Sequence, residues 1–146
     1  MSLWLGSERT YRHAMDERLL TEATEGFRDA FTRMLPEASN VFDMFMKEWK
    51  DEERKPWAVL LGEFGQVFVE AFPQLNPNRA RTFMQEIANL CDQTEEARTI
   101  ICTGFIETVL HTTDDTPSKS KWVHENAVGT VGRFIREYDA WCFGED

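Results

Sequence analysis

Apolar residues recur every three to four positions through most of this 146-residue chain, and this periodicity constrains the fold more than any other feature. Six segments show it, and no segment of comparable length alternates apolar and polar residues in the way of a strand. The sequence therefore predicts an all-α fold, either a compact bundle of about six helices or two stacked helical hairpins. A chain of this length fits one domain, expected over residues 1–146, with the first fifteen residues as its flexible part.

Start and stop residues place the ends of the predicted helices. The first helix is expected over about residues 16–34, because Pro36 stops it, and the sixth is expected to end near Gly144. The residues expected to begin the helices between them are Ser39, Pro56, Asn76 with Pro77, and Thr94, and the sixth helix is expected to follow Pro117. Five glycines fall inside the predicted helices, and they indicate close helix crossings: Gly62, Gly65, Gly104, Gly129 and Gly132.

The tryptophans fall into two groups on these predicted helices. Trp49, Trp57 and Trp141 lie on the apolar stripes and are expected in the core. Trp122 lies one position off the stripe of the sixth helix, which leaves two interpretations open. Its ring is either an exposed interface anchor or a side chain that folds down over the core.

The net charge of −10 limits the class of partner. An acidic surface repels phosphate backbones, so nucleic acid is not expected as a ligand, and no apolar run is long enough to span a membrane. A basic protein or peptide is the electrostatic complement of such a surface, although negative charge also serves solubility alone.

The negative charge is concentrated in the middle of the chain. Residues 37–116 hold 15 acidic and 7 basic side chains and so carry −8 of the net −10. Two clusters stand out, and their members are Glu48, Asp51, Glu52 and Glu53 in the first and Asp114 and Asp115 in the second. These clusters are either an acidic docking surface or two solvated loops, and together with Trp122 they are the candidate partner-binding residues.

The sequence predicts no catalytic, metal or cofactor site. Cys91, Cys102 and Cys142 form neither an even set nor a Cys-x-x-Cys pair, and we expect reduced, buried thiols. Glu107 and His111 lie one turn apart, a spacing that differs from the Glu-x-x-His pairs of di-iron bundles and from zinc-protease motifs. The chain is therefore expected not to be an enzyme. It shows neither a signal-peptide apolar region nor a lipidation motif, which favours the cytoplasm.

Four short stretches carry a resemblance to a known class of proteins. They are residues 89–101 (NLCDQTEEARTII), 105–110 (FIETVL), 72–75 (FPQL) and 138–141 (YDAW). This arrangement resembles small, uncharacterised bacterial all-helical proteins found among the immunity proteins of polymorphic toxin systems. The resemblance implies a non-enzymatic inhibitor that binds and occludes a cognate toxin domain, expected to be basic, and it transfers no catalytic residue.

Two other functions remain open from the residues. The first is a helical scaffold or adaptor that self-associates or binds a partner helix, with Trp122 and Trp4 as anchors. The second is an enzyme with a histidine or carboxylate site in a pocket, for which the histidines are His13, His111 and His124. The oligomeric state does not follow from the sequence.

Overall fold

A computed structural model describes residues 15–143, and within this range the chain is helical and contains no strand. The α-helices, in chain order, are α1 (Glu17–Met34), α2 (Ser39–Glu48), α3 (Trp57–Ala71), α4 (Pro77–Cys91), α5 (Glu95–Ile100), α6 (Glu107–Thr113), α7 (Pro117–Asn126) and α8 (Gly129–Phe143). Short 3-10 turns, Pro36–Ala38 and Phe72–Gln74, follow α1 and α3. The predicted all-α class is confirmed. The predictions made for Trp4, His13 and a helix end at Gly144 lie outside the described residues.

Side-chain caps begin three of the helices. The Asp16 carboxylate accepts hydrogen bonds from the backbone N–H groups of Arg18 and Leu19 at 2.9 and 3.3 Å. The side chains of Asn76 and Thr94 cap α4 and α5 in the same way, as predicted. Each cap satisfies donors that the first turn of a helix leaves unpaired, so the chain fixes these three starts locally.

The predicted N-cap at Ser39 is wrong. Pro36 opens the 3-10 turn that runs directly into α2, so Ser39 already has helical backbone angles, with φ −57° and ψ −30°. An N-cap residue needs a non-helical backbone, and Ala38 occupies that position without a side-chain hydrogen bond.

The predicted sixth helix is broken into α7 and α8. Ala127 is extended (ψ 129°) and Gly129 has φ +55°, a left-handed backbone that glycine adopts without the steric cost of a Cβ. The prediction that Trp141 lies in the core is also wrong, since the side chain is 50% exposed. Burial decreases along α8 from Val131, which is buried, through Tyr138, which is half-buried, because the end of α8 extends past the core.

The predicted fifth helix is one continuous rod with a π-helical segment, Ile101–Ile106, between α5 and α6. A π turn contains more residues than an α turn, so the apolar stripes before and after it are offset around the helix. This offset explains why the sequence of the rod is apolar on two sides. The segment runs through the centre of the molecule, with Phe105 and Ile106 completely buried.

Phenylalanine rings from α1, α3, α4 and the π segment meet at the centre of the core. The Phe27 ring lies 5.0 Å from that of Phe105, 5.5 Å from that of Phe64 and 5.8 Å from that of Phe83, centroid to centroid. Tilted and edge-on rings at such distances add about 0.5–1.5 kcal/mol per pair to the burial of their area. We call the rings that share these contacts the aromatic centre: Phe27, Phe31, Phe64, Phe68, Phe83 and Phe105.

Glycines let α3 approach the π segment closely. A Cβ on Gly104 would lie 3.0 Å from the backbone oxygen of Ala58 and 3.0 Å from the Cβ of Leu61. The predicted crossing role is thus correct for Gly104, and the contacts of Gly62 and Gly65 with Thr108 agree with it. It is wrong for Gly129, whose left-handed backbone separates α7 from α8.

Candidate functional site

Helix α2 buries a smaller share of its residues than α1 or α3 does. It packs against these two helices through two aromatic rings. Phe42 lies under the Arg28 guanidinium at 4.6 Å, and the Phe45 ring lies 5.8 Å from that of Trp57 at the start of α3. Both phenylalanines are buried. One side of α2 is therefore fixed against α1 and α3, while the side that carries Met44 is left uncovered.

A groove with an apolar floor lies between α2 and α3. Its volume is about 660 Å³, and Val41, Phe45 and Val67 line it. Met44 borders the groove with 66% of its side chain exposed, the largest exposure of a bulky apolar residue in the described part of the chain. Large exposed apolar side chains beside a concave surface are typical of interaction sites rather than of ordinary protein surface.

Two carboxylates face each other across the rim of this groove. Burial raises the pKa of Glu63, and the negative charge of Glu48 raises it further. Within residues 15–143 no basic side chain forms an ion pair with either carboxylate, and this includes Lys47, which also lines the groove. The rim therefore holds two carboxylates that have no ion-pair partner among residues 15–143.

The structure distributes the predicted acidic residues over different places. Glu48 lines the groove, whereas Asp51, Glu52 and Glu53 lie exposed in the connection from α2 to α3. The second predicted cluster is also exposed, after the end of α6, and its first member, Asp114, borders a separate cleft between α6, α7 and α8.

Trp122 packs against the edge of the core. Its ring lies 4.7 Å from that of Phe72 and 6.2 Å from that of Phe68, and the side chain is half-buried. Of the two interpretations that the sequence left open, the structure shows the packing role. The remaining exposed part of the ring borders a small apolar pocket of about 320 Å³ beside Pro73 and Pro77.

Sequence reasoning missed Met44, Glu63 and Val67. A signal for two of them exists in the sequence, because Glu63 and Val67 are four residues apart on one stripe of α3 with Glu70. On this stripe the two glutamates are exposed and Val67 is half-buried. Met44 lies off the core stripe of α2, so the helical periodicity of the sequence also predicts its exposure. No pattern in the sequence states that these two stripes face each other.

The cleft between α6, α7 and α8 holds a histidine bonded on both sides. His124 Nδ1 lies 2.7 Å from the backbone oxygen of Ser120, and its Nε2 lies 2.8 Å from Oδ2 of Asp139. A carbonyl oxygen and a carboxylate only accept, so a proton on Nδ1 is donated to the Ser120 backbone oxygen and a proton on Nε2 is donated to Asp139. The Ser120 hydroxyl lies 3.5 Å from Nδ1, at the limit of a hydrogen bond and farther from that nitrogen than the Ser120 backbone oxygen.

The phenol of Tyr138, which also lines this cleft, is neither an acid nor a base near neutral pH. Burial is the main cause that raises the pKa of Tyr138 to about 12, and a hydrogen bond with Cys142 adds to it. The hydroxyl thus stays protonated up to strongly alkaline pH. Among residues 15–143 no three histidine, cysteine, aspartate or glutamate side chains are grouped so that they hold a metal ion.

Cys91 and Cys102 are both completely buried, the first on α4 and the second in the π segment. A hydrogen bond to Cys91 is the largest cause that raises the pKa of the Cys102 thiol, followed by burial. A thiol in such a place stays protonated and unreactive, in agreement with the reduced, buried state expected for it. The burial predicted for Cys142 is wrong, since that residue is exposed near the end of α8.

Comparisons with known proteins add no relative. In the described part of the chain no helix combines the length and the apolar character needed to cross a membrane. No protein-family model matches the chain, and neither a curated protein nor a solved structure matches it significantly. The resemblance to immunity proteins therefore stays a prediction.

Proposed function

We propose that this chain is a non-enzymatic protein-binding domain that takes a basic partner into the groove between α2 and α3, in the manner of an immunity-type inhibitor that occludes a toxin domain. The single observation that carries the proposal is Met44, which stands 66% exposed beside an apolar floor. Covering it and the floor removes apolar area from water, which stabilises a complex by about 25 cal/mol for each Å² buried.

The charge of the rim favours a basic partner over a second copy of the chain. A symmetric pair would bring Glu48 and Glu63 of both copies to one contact, and like charges without counterions oppose association. A basic toxin domain, such as a nuclease that must itself attract phosphate, has the opposite charge. Electrostatic attraction between such surfaces also accelerates encounter at low salt.

Peptide selection on the immobilised full chain tests the proposal without a known partner. A library of displayed random 16-residue peptides is selected for binding to the natural chain and depleted on the Met44→Asp variant. We expect the enriched sequences to be basic, with apolar residues spaced three and four apart, and to bind Met44→Asp at least ~10-fold more weakly because a charge then enters the apolar groove.

Val59→Asp is the matched control for this experiment. Val59 is also an exposed apolar residue, at 53%, and it lies on α3 without lining the groove. Peptides should bind this variant as they bind the natural chain. Enriched sequences without basic residues, equal loss of binding in both variants, or a library that yields no binder would overturn the proposal. Sedimentation of the chain alone identifies the alternative occupant, since a dimer that Met44→Asp dissociates would point to a self-associating scaffold.

A further inference from the structure

The shape of the groove restricts the conformation of its occupant. Residues 15–143 contain no strand, so this part of the chain has no sheet edge on which an extended peptide adds by backbone hydrogen bonds. Proline-rich segments bind to grooves lined by exposed aromatic rings, whereas the one ring that residues 15–143 contribute to this groove is that of Phe45, which is buried. The remaining common mode is an amphipathic helix that lies in the groove.

The apolar floor has the repeat that such a helix requires. Val41 and Phe45 are four residues apart on α2, and Val67 faces them from α3. Since α2 spans ten residues, which is about 15 Å, an occupant of about three turns covers its length. Apolar side chains at positions i, i+3 or i+4, and i+7 of that occupant would meet the floor.

The rim specifies a cation at one place along this helix. Glu48 follows Phe45 by about one turn of α2, and Glu63 precedes Val67 by about one turn of α3. The charge of Glu48 acts on Glu63, so the two carboxylates lie near each other on the rim. They interact repulsively with each other and have no cationic partner among the described residues. One ammonium or guanidinium group between them would be attracted to both and would offset their mutual repulsion, leaving the three groups with one net negative charge.

We propose that Glu48 and Glu63 form a two-carboxylate receptor for a single lysine or arginine side chain of an amphipathic helix that lies in the groove between α2 and α3. The proposal rests on the protein-binding function proposed above and identifies the two residues that bind the cationic side chain of the partner. The apolar floor supplies most of the contact area, and the carboxylate pair sets the register and direction in which the helix lies.

Calorimetric titration with synthetic 18-residue helical peptides tests this pair. One peptide carries leucine on one face and lysine on the other, and its counterpart has glutamine in place of every lysine. The variants are the rim pair Glu48→Gln with Glu63→Gln and the control pair Glu25→Gln with Glu125→Gln, two exposed glutamates of α1 and α7 that do not line the groove. Both pairs change the net charge of the chain by the same amount, so any difference between them is local.

The lysine peptide should bind the rim pair ~10-fold more weakly than the natural chain, and the control pair within ~2-fold of it, because two partly desolvated charge contacts contribute about that factor. The glutamine peptide should bind weakly to the natural chain and equally to both pairs. Carboxyl resonances measured by NMR should show that the lysine peptide lowers the pKa of Glu63.

Three outcomes separate the two proposals. Equal weakening in the rim and control pairs would mean general attraction to a negative surface and would overturn the receptor. Loss of binding in Met44→Asp with no difference between the pairs would leave the groove as the docking site and remove the carboxylate receptor. Binding that neither Met44→Asp nor the rim pair weakens would overturn both.

Discussion

The aromatic centre contrasts with the α2 flank, by which we mean helix α2 and the groove between it and α3. Both regions use large apolar side chains, but they bury them to different extents. In the aromatic centre, rings from four helical segments surround each other, and Phe27, Phe64 and Phe105 have no exposed surface. On the flank, α2 buries Phe42 and Phe45 and leaves Met44 mostly in water. The difference is the number of neighbouring elements, since the centre is enclosed on all sides and α2 is covered on one.

This contrast explains where stability and binding are expected to reside. A side chain enclosed by several elements contributes mainly to the free energy of unfolding, because its removal leaves a cavity that the surroundings cannot fill. A side chain on the open flank contributes little to folding and remains available for a partner. Substitutions in the two regions should therefore separate stability from binding.

The largest expected effect is the loss of a central ring. Phe105→Ala should lower the free energy of unfolding by about 3–5 kcal/mol in urea denaturation, because the Phe105 ring contacts those of Phe27, Phe68 and Phe83. Met44→Ala should change it by less than about 0.5 kcal/mol. Phe105→Leu keeps most of the volume and provides a folded comparison if the alanine variant does not fold. Similar values for Phe105→Ala and Met44→Ala would contradict the contrast.

A smaller loss is expected where α3 crosses the π segment. Gly104→Ala should destabilise the chain by about 1–3 kcal/mol, because the added methyl group meets the backbone of Ala58. Gly62→Ala is the matched control and should destabilise the chain less than Gly104→Ala. Its Cβ would approach a side-chain atom, Thr108 Oγ1, at 3.2 Å, and alanine has a higher helix propensity than glycine. Thermal denaturation of both variants measures the effect, and a neutral Gly104→Ala would show that the crossing is looser than described.

Hydrogen exchange should separate the two regions without a substitution. The backbone amides of α2 are expected to exchange at least ~10-fold faster than those of α1, since α2 opens by exposing only Phe42 and Phe45. Mass spectrometry of exchanged peptides measures this difference. Equal protection of α1 and α2 would mean that α2 unfolds only together with the aromatic centre and would contradict the contrast. A basic helix bound in the groove should slow the exchange of the α2 amides.

The smallest expected effect is a pH-dependent gain in thermal stability when the Glu63 carboxylate on the α2 flank is replaced by a neutral amide. The pKa of Glu63 is higher in the folded chain than in the unfolded chain, so the folded chain binds this proton more tightly. The free energy of unfolding therefore falls as pH rises from the unfolded pKa of Glu63 through its folded pKa. Glu63→Gln should therefore have a slightly higher Tm than the natural chain at pH 7, and the difference should vanish below about pH 4. Glu53→Gln serves as the control, and an unchanged or lower Tm of Glu63→Gln at pH 7 would contradict the raised pKa.

Local signals in the sequence predicted most of the helices correctly. Asn76 and Thr94 cap α4 and α5 as expected, since a cap depends on residues two or three positions apart. The same reasoning failed at Ser39, where the 3-10 turn before α2 gives Ser39 a helical backbone. It failed again at Gly129, because a left-handed glycine inside an apolar periodic segment looks like any other helix glycine until its backbone is seen.

The candidate site was predicted only in part. Glu48 was named for its acidic neighbours and lies on the groove, while Asp51, Glu52 and Glu53, chosen for the same reason, lie in the connection beyond it. Glu63 was not named, since its spacing to Val67 and Glu70 marks a stripe of α3 but does not say what that stripe faces. Its significance comes from Glu48 on another helix.

The sequence by itself determined the all-α class, the start of three helices and the excess of negative charge, because these depend on spacing along the chain and on composition. The tertiary structure alone decided which apolar residues are enclosed, why Trp141 is exposed, and that Met44, Glu48 and Glu63 border one groove. Periodicity states which face of a helix is apolar, but the neighbour of that face depends on how all the helices pack together. Burial and electrostatic neighbours are properties of that packing, so residues distant in sequence acquire them only in the folded chain.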